Sequence, residues 1–403
     1  MAGDAPARRP RLLVLGAGPA QLGLLQAARD GGLHVVAADR DTQAIGFELA
    51  DERAVVSTDD EQALERLARA LEVDGVISPG ADWTVGVAAR IAERIGLPHP
   101  IDAATAALVT SKARQRERLA EAGVPQPRLF PHGNEPDLPC VVKPTDQQGQ
   151  RGVSVVRVRD ELDAAIRAAT EVSRGGGYLV EEHVDGPEVT VNAVSGDGEL
   201  TPLAVTDRLT AEWPAFGVAL AHVWPSEHDV SSAVEAARSA VAALGVREGP
   251  TYTQLRLGAD GPRVMEVAAR LGGGHDAELV EAATGVPVNA LALDFALGRP
   301  SPLGQMASNR LLQAESASGA CVLFLVAPEG TLRAVAGVEE AERHEGVRWV
   351  RIYRRPGWRF GPLRRGADRA GAILAVGSSR EDALERARRA AEAVRFAVDA
   401  DTA

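Results

Sequence analysis

Residues 264–280 read VMEVAARLGGGHDAELV and contain the change of pattern that decides the fold. Val264, Glu266 and Ala268 alternate with their neighbours, which is typical of a strand whose side chains point to opposite faces. Arg270 and three glycines follow, and then an apolar pattern typical of a helix. Because glycine lets a backbone pass close to a ligand, a carboxylate and an arginine next to it indicate a binding site at this junction.

The preceding stretch, TYTQLRLGADG (251–261), predicts a strand that pairs with this one. A magnesium ion that bridges nucleotide phosphates takes one or two protein oxygens, and Gln254 and Glu266 each carry one. If GADG were the whole turn, Leu257 would pair with Pro262, and Gln254 and Glu266 would point to opposite faces. We expect instead that Leu257 pairs with Arg263 and Gln254 lies opposite Glu266, because proline donates no ladder hydrogen bond.

Upstream runs carry the other candidate nucleotide-binding side chains. Lys143 ends the apolar strand CVVKP, where a lysine can set a point charge against a phosphate or lie at the surface. The next loop, TDQQGQRG, contains Gln150 and can close over a triphosphate with its backbone N–H groups, or be an ordinary mobile turn. In YLVEEHVDGPEVTV, Glu181, Val184 and Glu188 could supply an apolar wall for adenine and a carboxylate for ribose, although single acids near a turn are commonly only solvated.

Residues on the substrate side are less specific. The stretch EWPAFGVALAHVWPS (212–226) carries Trp213, Phe216, His222 and Trp224, and it predicts either an amino-acid pocket or a packed aromatic hairpin. His275 follows the glycines, so it is a candidate for contact with the acyl end of a substrate. A histidine at a helix start is equally explained as a neighbour of the helix cap.

One N-terminal motif suggests a different function. GAGPAQLG (16–23) follows a strand and opens a helix, but Gln21 stands where the dinucleotide fingerprint requires its third glycine. The interpretation as a nicotinamide-dependent oxidoreductase depends on this motif alone. A tight strand-to-helix turn, whose N–H groups can hold some other anion, explains it as well.

Composition limits the class of protein. The chain has 403 residues, 45% hydrophobic and 25% charged, which suits two or three globular domains. A net charge of -12 argues against nucleic-acid binding, and two cysteines exclude a disulfide framework or a four-cysteine zinc site. We expect no membrane span and no secretion signal, and therefore the cytoplasm. Strand–helix alternation in the first hundred residues predicts a parallel α/β sheet, and later short β-runs predict an α+β part.

Together these motifs resemble the ATP-grasp superfamily of carboxylate–amine ligases over nearly the whole chain. The fold that this resemblance implies is multidomain α/β and α+β. It consists of a Rossmann-like pre-ATP-grasp domain (10–108), a two-lobed ATP-grasp core (109–306, with the small lobe about 127–190) and a C-terminal α+β ligase domain (307–400). SKARQRERLAEAG looks like the helix whose lysine, Lys112, contacts nucleotide. The tail, with DRAGAILAVGSSREDALERA, is most similar to the L-amino-acid ligase branch.

The resemblance implies the chemistry and a role for each candidate residue. ATP, with Mg²⁺ or Mn²⁺, converts a carboxylate to an acyl phosphate, and an amine then displaces phosphate to give an amide or peptide bond, with no protein nucleophile. Arg270 and Lys143 are the catalytic candidates, and Gln254 and Glu266 the metal ligands. The nucleotide set is Lys112, Lys143, Gln150, Glu181, Glu182, Val184 and Glu188. The substrate set is Arg270, Gly273, Gly274, His275 and His222.

Two departures from the family pattern leave alternatives open. The acidic strand of the family usually reads Glu-x-Asn, whereas this chain has Ala268, which cannot coordinate a metal. Gln150 replaces a serine in the phosphate-covering loop. A nucleotide-binding protein with impaired catalysis, or a bicarbonate-using carboxylase of the same superfamily, are therefore the competing hypotheses. The expected partners are a small-molecule carboxylate and amine, with no nucleic acid and no membrane, and a homodimer is one option. An Ala-, Arg- and Gly-rich composition suggests a GC-rich bacterium but names neither substrate.

Overall fold

The computed structural model describes residues 8–212, 215, 217–300 and 318–399. Trp213, Phe216 and the predicted boundary between residues 306 and 307 lie outside these ranges.

The N-terminal part contains the parallel sheet that the sequence predicts, with strand order β3-β2-β1-β4. Alternate residues of β1 enter two different cores, Leu12 and Val14 on one face and Leu13 and Leu15 on the other. Helices therefore cover both faces, as an apolar parallel strand requires. The elements are β1 Arg11–Leu15, α1 Leu22–Asp30, β2 His34–Asp39, β3 Glu52–Val55, α2 Glu61–Ala70, β4 Gly75–Ile77 and α3 Asp82–Ile95.

Two helices then lead to a small sheet with strand order β5-β8-β6-β7. Helix α6 packs Ala165 and Ala169 against Cys140 and Val142 of this sheet. Its first strand, β5, lies in the proline-bearing stretch that the sequence suggested to be a linker, and it pairs with β8. The elements are α4 Ala103–Val109, α5 Lys112–Glu121, β5 Leu129–Phe130, β6 Cys140–Pro144, β7 Ser154–Val156, α6 Leu162–Val172 and β8 Tyr178–Glu182.

A third sheet, of eight strands, forms the centre of the molecule, in the order β13-β12-β9-β10-β11-β14-β18-β16. Strand β11 pairs with β14, with Val223 opposite Cys321, so this sheet continues across the predicted boundary at 306/307. The elements are β9 Glu188–Gly196, β10 Glu199–Thr210, β11 Ala219–Trp224, α7 Ser231–Ala243, β12 Gly249–Gly258, β13 Gly261–Ala268, α8 Asp276–Thr284, α9 Val288–Ala296, β14 Gly319–Leu325, β16 Val347–Ile352 and β18 Gly371–Gly377.

The tail adds a three-stranded sheet, β17-β15-β19, and the amphipathic helix that the sequence predicts. Ser379 caps that helix by accepting a hydrogen bond from the Asp382 N–H. The elements are β15 Gly330–Ala336, α10 Val338–Glu342, β17 Arg359–Phe360, α11 Arg380–Ala393 and β19 Arg395–Asp399.

Among the described residues, no single helix is long and apolar enough to cross a bilayer. Helices α8 and α9 are long and apolar enough only when they are taken together, and the chain bends by 119° between them.

Candidate active site

A cleft of about 690 Å³ lies where the N-terminal sheet, the small sheet, the large sheet and the tail approach one another. Each contributes wall residues, for example Asp82, Lys143, Gln254 and Tyr353. Among the residues that the structure describes, eleven Lys and Arg but only five Asp and Glu line this cleft, although the whole chain carries a net charge of -12. The positive excess is local and suits a polyanionic ligand.

Lys143 is held in the cleft wall by a buried ion-pair network. Strands β6 and β8 pair with Val141 opposite Glu181, and the Glu181 side chain is 0% exposed. Lys143 Nζ lies 2.7 Å from Glu181 Oε2, and Arg116 Nε donates to Glu181 Oε1 at 2.7 Å. Burial lowers the pKa of Lys143 to about 8 despite the carboxylate. Burial alone would raise the pKa of Glu181, but Arg116 and Lys143 outweigh it and lower that pKa to about 2.

This network changes the expected role of Glu181. Both of its oxygens are engaged by Arg116 and Lys143, so the side chain orients Lys143 rather than offering a free acceptor to a ribose. Glu182, its neighbour on β8, points away from the cleft and lies 3.8 Å from Arg128. Its side chain is therefore not placed to contact a nucleotide.

Val184 and Glu188 both line the cleft, as the sequence predicts for an adenine and ribose subsite. Glu188 pairs with Arg208 at 2.6 Å and lies 3.6 Å from Arg256, and it accepts a hydrogen bond from the Gln254 amide. The carboxylate needed for a ribose is present and held in place by two arginines. Oε1 is engaged by Arg208 and Gln254, whereas Oε2 has only the longer contact with Arg256 and is the oxygen nearer to being available.

Gln254 lies opposite Glu266, as predicted, but the register prediction was wrong. Leu257 pairs with Pro262 and not with Arg263, so the turn is the tighter of the two alternatives. A bulge then shifts the register between Gln254 and Leu255, which brings the two side chains back to the same face. The bulge, rather than a longer loop, therefore places Gln254 and Glu266 on the same face of the strand pair.

Lys112 contacts this pair from α5. Its Nζ lies 2.5 Å from Glu266 Oε1 and donates to the Gln147 carbonyl at 2.8 Å. The carboxylate therefore already attracts a cation, and the Gln254 amide lies directly across the strand pair. A carboxylate and an amide oxygen on adjacent strands are the hard donors that Mg²⁺ prefers, so these residues fit the metal. Ala268 lines the same wall and offers no donor.

Arg270 is anchored from the N-terminal part of the chain. Its Nε donates to Asp82 Oδ1 at 2.6 Å, and its Nη1 donates to the Leu271 carbonyl at 2.7 Å. Burial alone would lower the pKa of Arg270, but the Asp82 carboxylate raises it. The guanidinium is therefore permanently charged and fixed in direction, as a phosphate or carboxylate grip requires.

Comparison with known proteins assigns the family. An ATP-grasp domain model matches residues 136–278, and a model of the L-amino acid ligase C-terminal domain 2 matches residues 323–399. The formate-dependent phosphoribosylglycinamide formyltransferase of Burkholderia cenocepacia is 30% identical over 409 residues, covering 96% of this chain and 95% of that protein. The chain belongs to the ATP-grasp superfamily. It is an ATP-grasp carbon–nitrogen ligase of the ADP-forming class, and enzymes of this superfamily use ATP and Mg²⁺ in general.

Solved structures share the fold of this ATP-grasp protein. The L-amino acid ligase of Bacillus licheniformis superposes with a TM-score of 0.83 at 24% identity, covering 98% of this chain and 100% of that chain. The biotin carboxylase domain dimer of the Hydrogenobacter thermophilus 2-oxoglutarate carboxylase, solved with MgADP and bicarbonate, superposes with a TM-score of 0.76 at 18% identity. It covers 96% of this chain and 90% of that chain.

The loop with Gln150 closes the ATP-grasp cleft from two sides. Gln148 Oε1 accepts a hydrogen bond from the Asp82 N–H at 2.5 Å, and the Gly149 carbonyl accepts one from Gly366 N–H at 3.4 Å. Gln150 itself has a φ of 68° and packs against Gly217. The loop is therefore ordered between the N-terminal part and the tail, and it lines the cleft as predicted.

The glycines after Arg270 pack the cleft floor closely. A Cβ at Gly274 would lie 2.6 Å from His222 Cε1, so the backbone at 274 needs glycine. Gly273, Gly274 and His222 all line the cleft, as predicted for a substrate subsite. His222 Nδ1 lies 2.9 Å from Asp276 Oδ1, and burial lowers the pKa of His222, so the ring is neutral at pH 7.

His275 is not among the lining residues, contrary to the predicted contact with the acyl end. Its side chain is buried behind Tyr353, whose ring forms the cleft wall at that point. His275 therefore lies behind the cleft wall, and Tyr353 separates it from the cleft.

Several site residues were not predicted from the sequence. Asp82 follows β4, and ligands of open α/β sheets bind at the carboxyl ends of strands, so its position offered a signal. Arg116 looked like one charged residue among many on a polar helix, and only its buried contacts distinguish it. Tyr353 and Arg369 come from the tail, where the order of the chain says nothing about which strands reach the cleft.

Proposed function

We propose that the protein activates the carboxylate of an amino acid as an acyl phosphate and joins it to an amine, forming an amide or peptide bond and releasing ADP and phosphate. The observation that supports this most is the convergence of Lys143, Gln254, Glu266 and Arg270 on one positively charged cleft. A carboxylate is a poor acyl donor, and phosphorylation supplies the leaving group that amide formation needs.

Each residue has a role in that reaction. Lys143, kept charged and oriented by Glu181, sets a positive charge against the nucleotide phosphates, and Lys112 acts from the other side. Glu188 and Val184 take ribose and adenine. Arg270 holds the transferring phosphoryl group and the carboxylate in line, so the protein contributes positioning and charge neutralisation.

Gln254 and Glu266 would hold Mg²⁺, which supplies charge neutralisation at the β- and γ-phosphates when bound. Ala268 leaves the ion with fewer protein oxygens than the usual family pattern. If Glu266 held the ion, its present contact with Lys112 would be given up, and the Lys112 ammonium group would be available to the phosphates.

The experiment is a screen of ADP and phosphate release over pairs of amino acids, with each amino acid also tested alone. The proposal predicts release that requires ATP, Mg²⁺ and both amino acids, with a dipeptide detected by mass spectrometry. Release that requires bicarbonate and no amino acid would favour a carboxylase instead. ATP binding by calorimetry without release on any pair would favour a protein without turnover.

Arg270→Lys tests the chemical step. We expect turnover to fall about 10²–10³-fold, on the scale of a lost transition-state donor, while the Kd for ATP changes little. Arg263→Lys is the matched control, because Arg263 lies on β13, the strand that precedes Arg270, and donates to the nearby carbonyls of Asp260, Gly261 and Pro262. Equal turnover of the two variants would contradict the role of Arg270.

The division into three domains at 108/109 and 306/307 stays a proposal, as does the homodimer. The parallel sheet within the first part supports the first boundary, since β1 to β4 all precede residue 108. Sedimentation of the full chain at several concentrations tests the dimer.

A further inference from the structure

A chain of hydrogen bonds runs from the cleft wall into the protein at Tyr353. The Tyr353 hydroxyl lies 2.6 Å from His275 Nε2, and His275 Nδ1 lies 3.0 Å from Glu278 Oε1. His275 is 3% exposed and Tyr353 is 5% exposed, and of the two only Tyr353 lines the cleft. The order hydroxyl, imidazole, carboxylate is the one that activates hydroxyl groups in hydrolases.

The backbone holds this arrangement at a cost. His275 has a φ of 60°, in the left-handed region, which non-glycine residues rarely adopt. Its ring is packed edge-on against Trp349, with centroids 5.0 Å apart. Strained residues of this kind persist when their surroundings fix them, and they cluster at functional sites. The imidazole is therefore aimed at Tyr353 by its surroundings.

Glu278 and Arg351 both contact the Nδ1 side of the His275 ring. Arg351 donates a hydrogen bond to Glu278 from the side. Burial alone would raise the pKa of Glu278, but His275 and Arg351 outweigh it and lower that pKa to about 2, so the carboxylate stays ionised. His275 Nδ1 lies 3.0 Å from Glu278 Oε1 and 3.0 Å from Arg351 Nη1. With its proton on Nδ1 and donated to the Glu278 carboxylate, the ring keeps the lone pair of Nε2 for the Tyr353 O–H, and this is the tautomer that proton transfer from Tyr353 requires. Tyr353 itself lines the cleft.

Amide formation needs such a group. An amino acid arrives as an ammonium ion, which has no lone pair for attack on the acyl phosphate. Lys143, Arg270 and Lys112 are cations at the phosphate end and cannot accept that proton. His222 also lines the cleft, but both of its ring nitrogens are buried.

We infer that Tyr353 is a catalytic residue that accepts the proton of the incoming ammonium group, with His275 and Glu278 as positioning residues behind it. This inference rests on the proposed function. As the ammonium N–H bond breaks, its proton passes to the phenol oxygen, and the phenolic proton passes to His275 Nε2. The resulting imidazolium lies against the Glu278 carboxylate, which also accepts a hydrogen bond from the neighbouring Arg351. The free amine then attacks the carbonyl carbon, the C–N bond forms, the bond to the phosphate oxygen breaks, and the departing phosphate takes the second proton.

The surrounding charges suit this transfer. Arg369 and Arg354 face Tyr353 from the tail, and Arg351 and Glu278 face it from β16 and α8. The three cations favour negative charge on the phenol oxygen, while burial and Glu278 oppose it. The phenol is therefore neutral at rest and becomes an acceptor only as it passes its own proton inward.

Tyr353→Phe in the full chain tests the inference, because it removes one oxygen and keeps the ring. Activity is measured with the amino-acid amine and with hydroxylamine, which is uncharged at neutral pH and needs no base. We expect amide formation with the amino acid to fall about 10²–10³-fold, with hydroxamate formation within about twofold of wild type. The remaining amide formation should rise about tenfold per pH unit, because only amine that is already deprotonated reacts.

His275→Asn is the second variant, since asparagine tolerates positive φ and does not take up a proton. It should show the same split between the two nucleophiles. Tyr178→Phe is the control, because Tyr178 stacks on His132 outside the cleft. Unchanged amide formation in Tyr353→Phe, or an equal loss with both nucleophiles, would overturn the inference. Wild-type protein that makes neither product would instead overturn the proposed function.

Discussion

Replacing Glu181 by glutamine removes one charge from the most buried part of the cleft wall. The side chain is 0% exposed and contacts Arg116 and Lys143, both at 2.7 Å. Glu181→Gln keeps the shape but leaves two buried cations facing a neutral amide. Breaking a buried pair in this way costs about 3–5 kcal/mol, because the remaining charges stay desolvated.

The lowered pKa of Glu181, which arises from the same contacts, gives a magnitude of the same order. It falls from an ordinary value of 4.5 to about 2 in the folded protein. Each pKa unit corresponds to about 1.4 kcal/mol, so the ionised carboxylate stabilises the fold by about 3 kcal/mol near neutral pH. Because the folded pKa is depressed, this stabilisation is present above pH 4.5 and is lost as the pH falls toward 2.

Urea unfolding of wild type and variant measures this difference. We expect Glu181→Gln to lose about 3 kcal/mol of unfolding free energy at pH 7, with the gap narrowing below pH 4.5. Glu182→Gln, on the same strand but outside the cleft, should change the free energy by less than about 0.5 kcal/mol.

The variant should also weaken nucleotide binding. Without the carboxylate, burial and Arg116 lower the pKa of Lys143 below its present value of about 8, so less of it is charged at neutral pH. Calorimetry from pH 6 to pH 9 should then show ATP affinity declining at lower pH than in wild type. A variant as stable as Glu182→Gln, with the pH profile of wild type, would refute the reasoning.

Three further changes test other parts of the cleft. Gly274→Ala places a Cβ 2.6 Å from His222 Cε1, so we expect a loss of about 1–3 kcal/mol in thermal unfolding, whereas Gly361→Ala, with open space around it, should have little effect. Ala268→Asn adds an oxygen beside Gln254 and Glu266; it should lower the Mg²⁺ concentration for half-maximal ADP release, and an unchanged or raised requirement would argue against a metal site there. Asp82→Asn removes the charge that anchors Arg270, so kcat should fall about tenfold with little change in ATP affinity; a changed Kd for ATP with normal kcat would place Asp82 on the nucleotide side.

The motifs of the cleft could be predicted because each depends on local pattern. Lys143 ends an apolar strand, Arg270 follows a strand, and the glycines precede a helix, and all of these are visible in the chain as written. The family resemblance then follows from their order along the sequence, and the family models match the same stretches.

The contacts between distant segments could not be predicted in this way. Sequence pattern could not show that the carboxylate of Glu181 forms an ion pair with Arg116, because the two residues are 65 positions apart and come into contact only in the folded protein. The bulge at Gln254 was missed for a related reason. Proline near the turn argued for a loop, and nothing in the pattern indicates that a later residue would be left unpaired.

The continuous sheet across β11 and β14 has a consequence for engineering this enzyme. A hybrid that exchanged the tail with that of another family member at residue 306 would cut between two hydrogen-bonded strands, so the incoming β14 must fit the edge left by Ala221 and Val223. Hybrids in which β11 and β14 come from the same parent should fold more often than hybrids that pair strands from two parents.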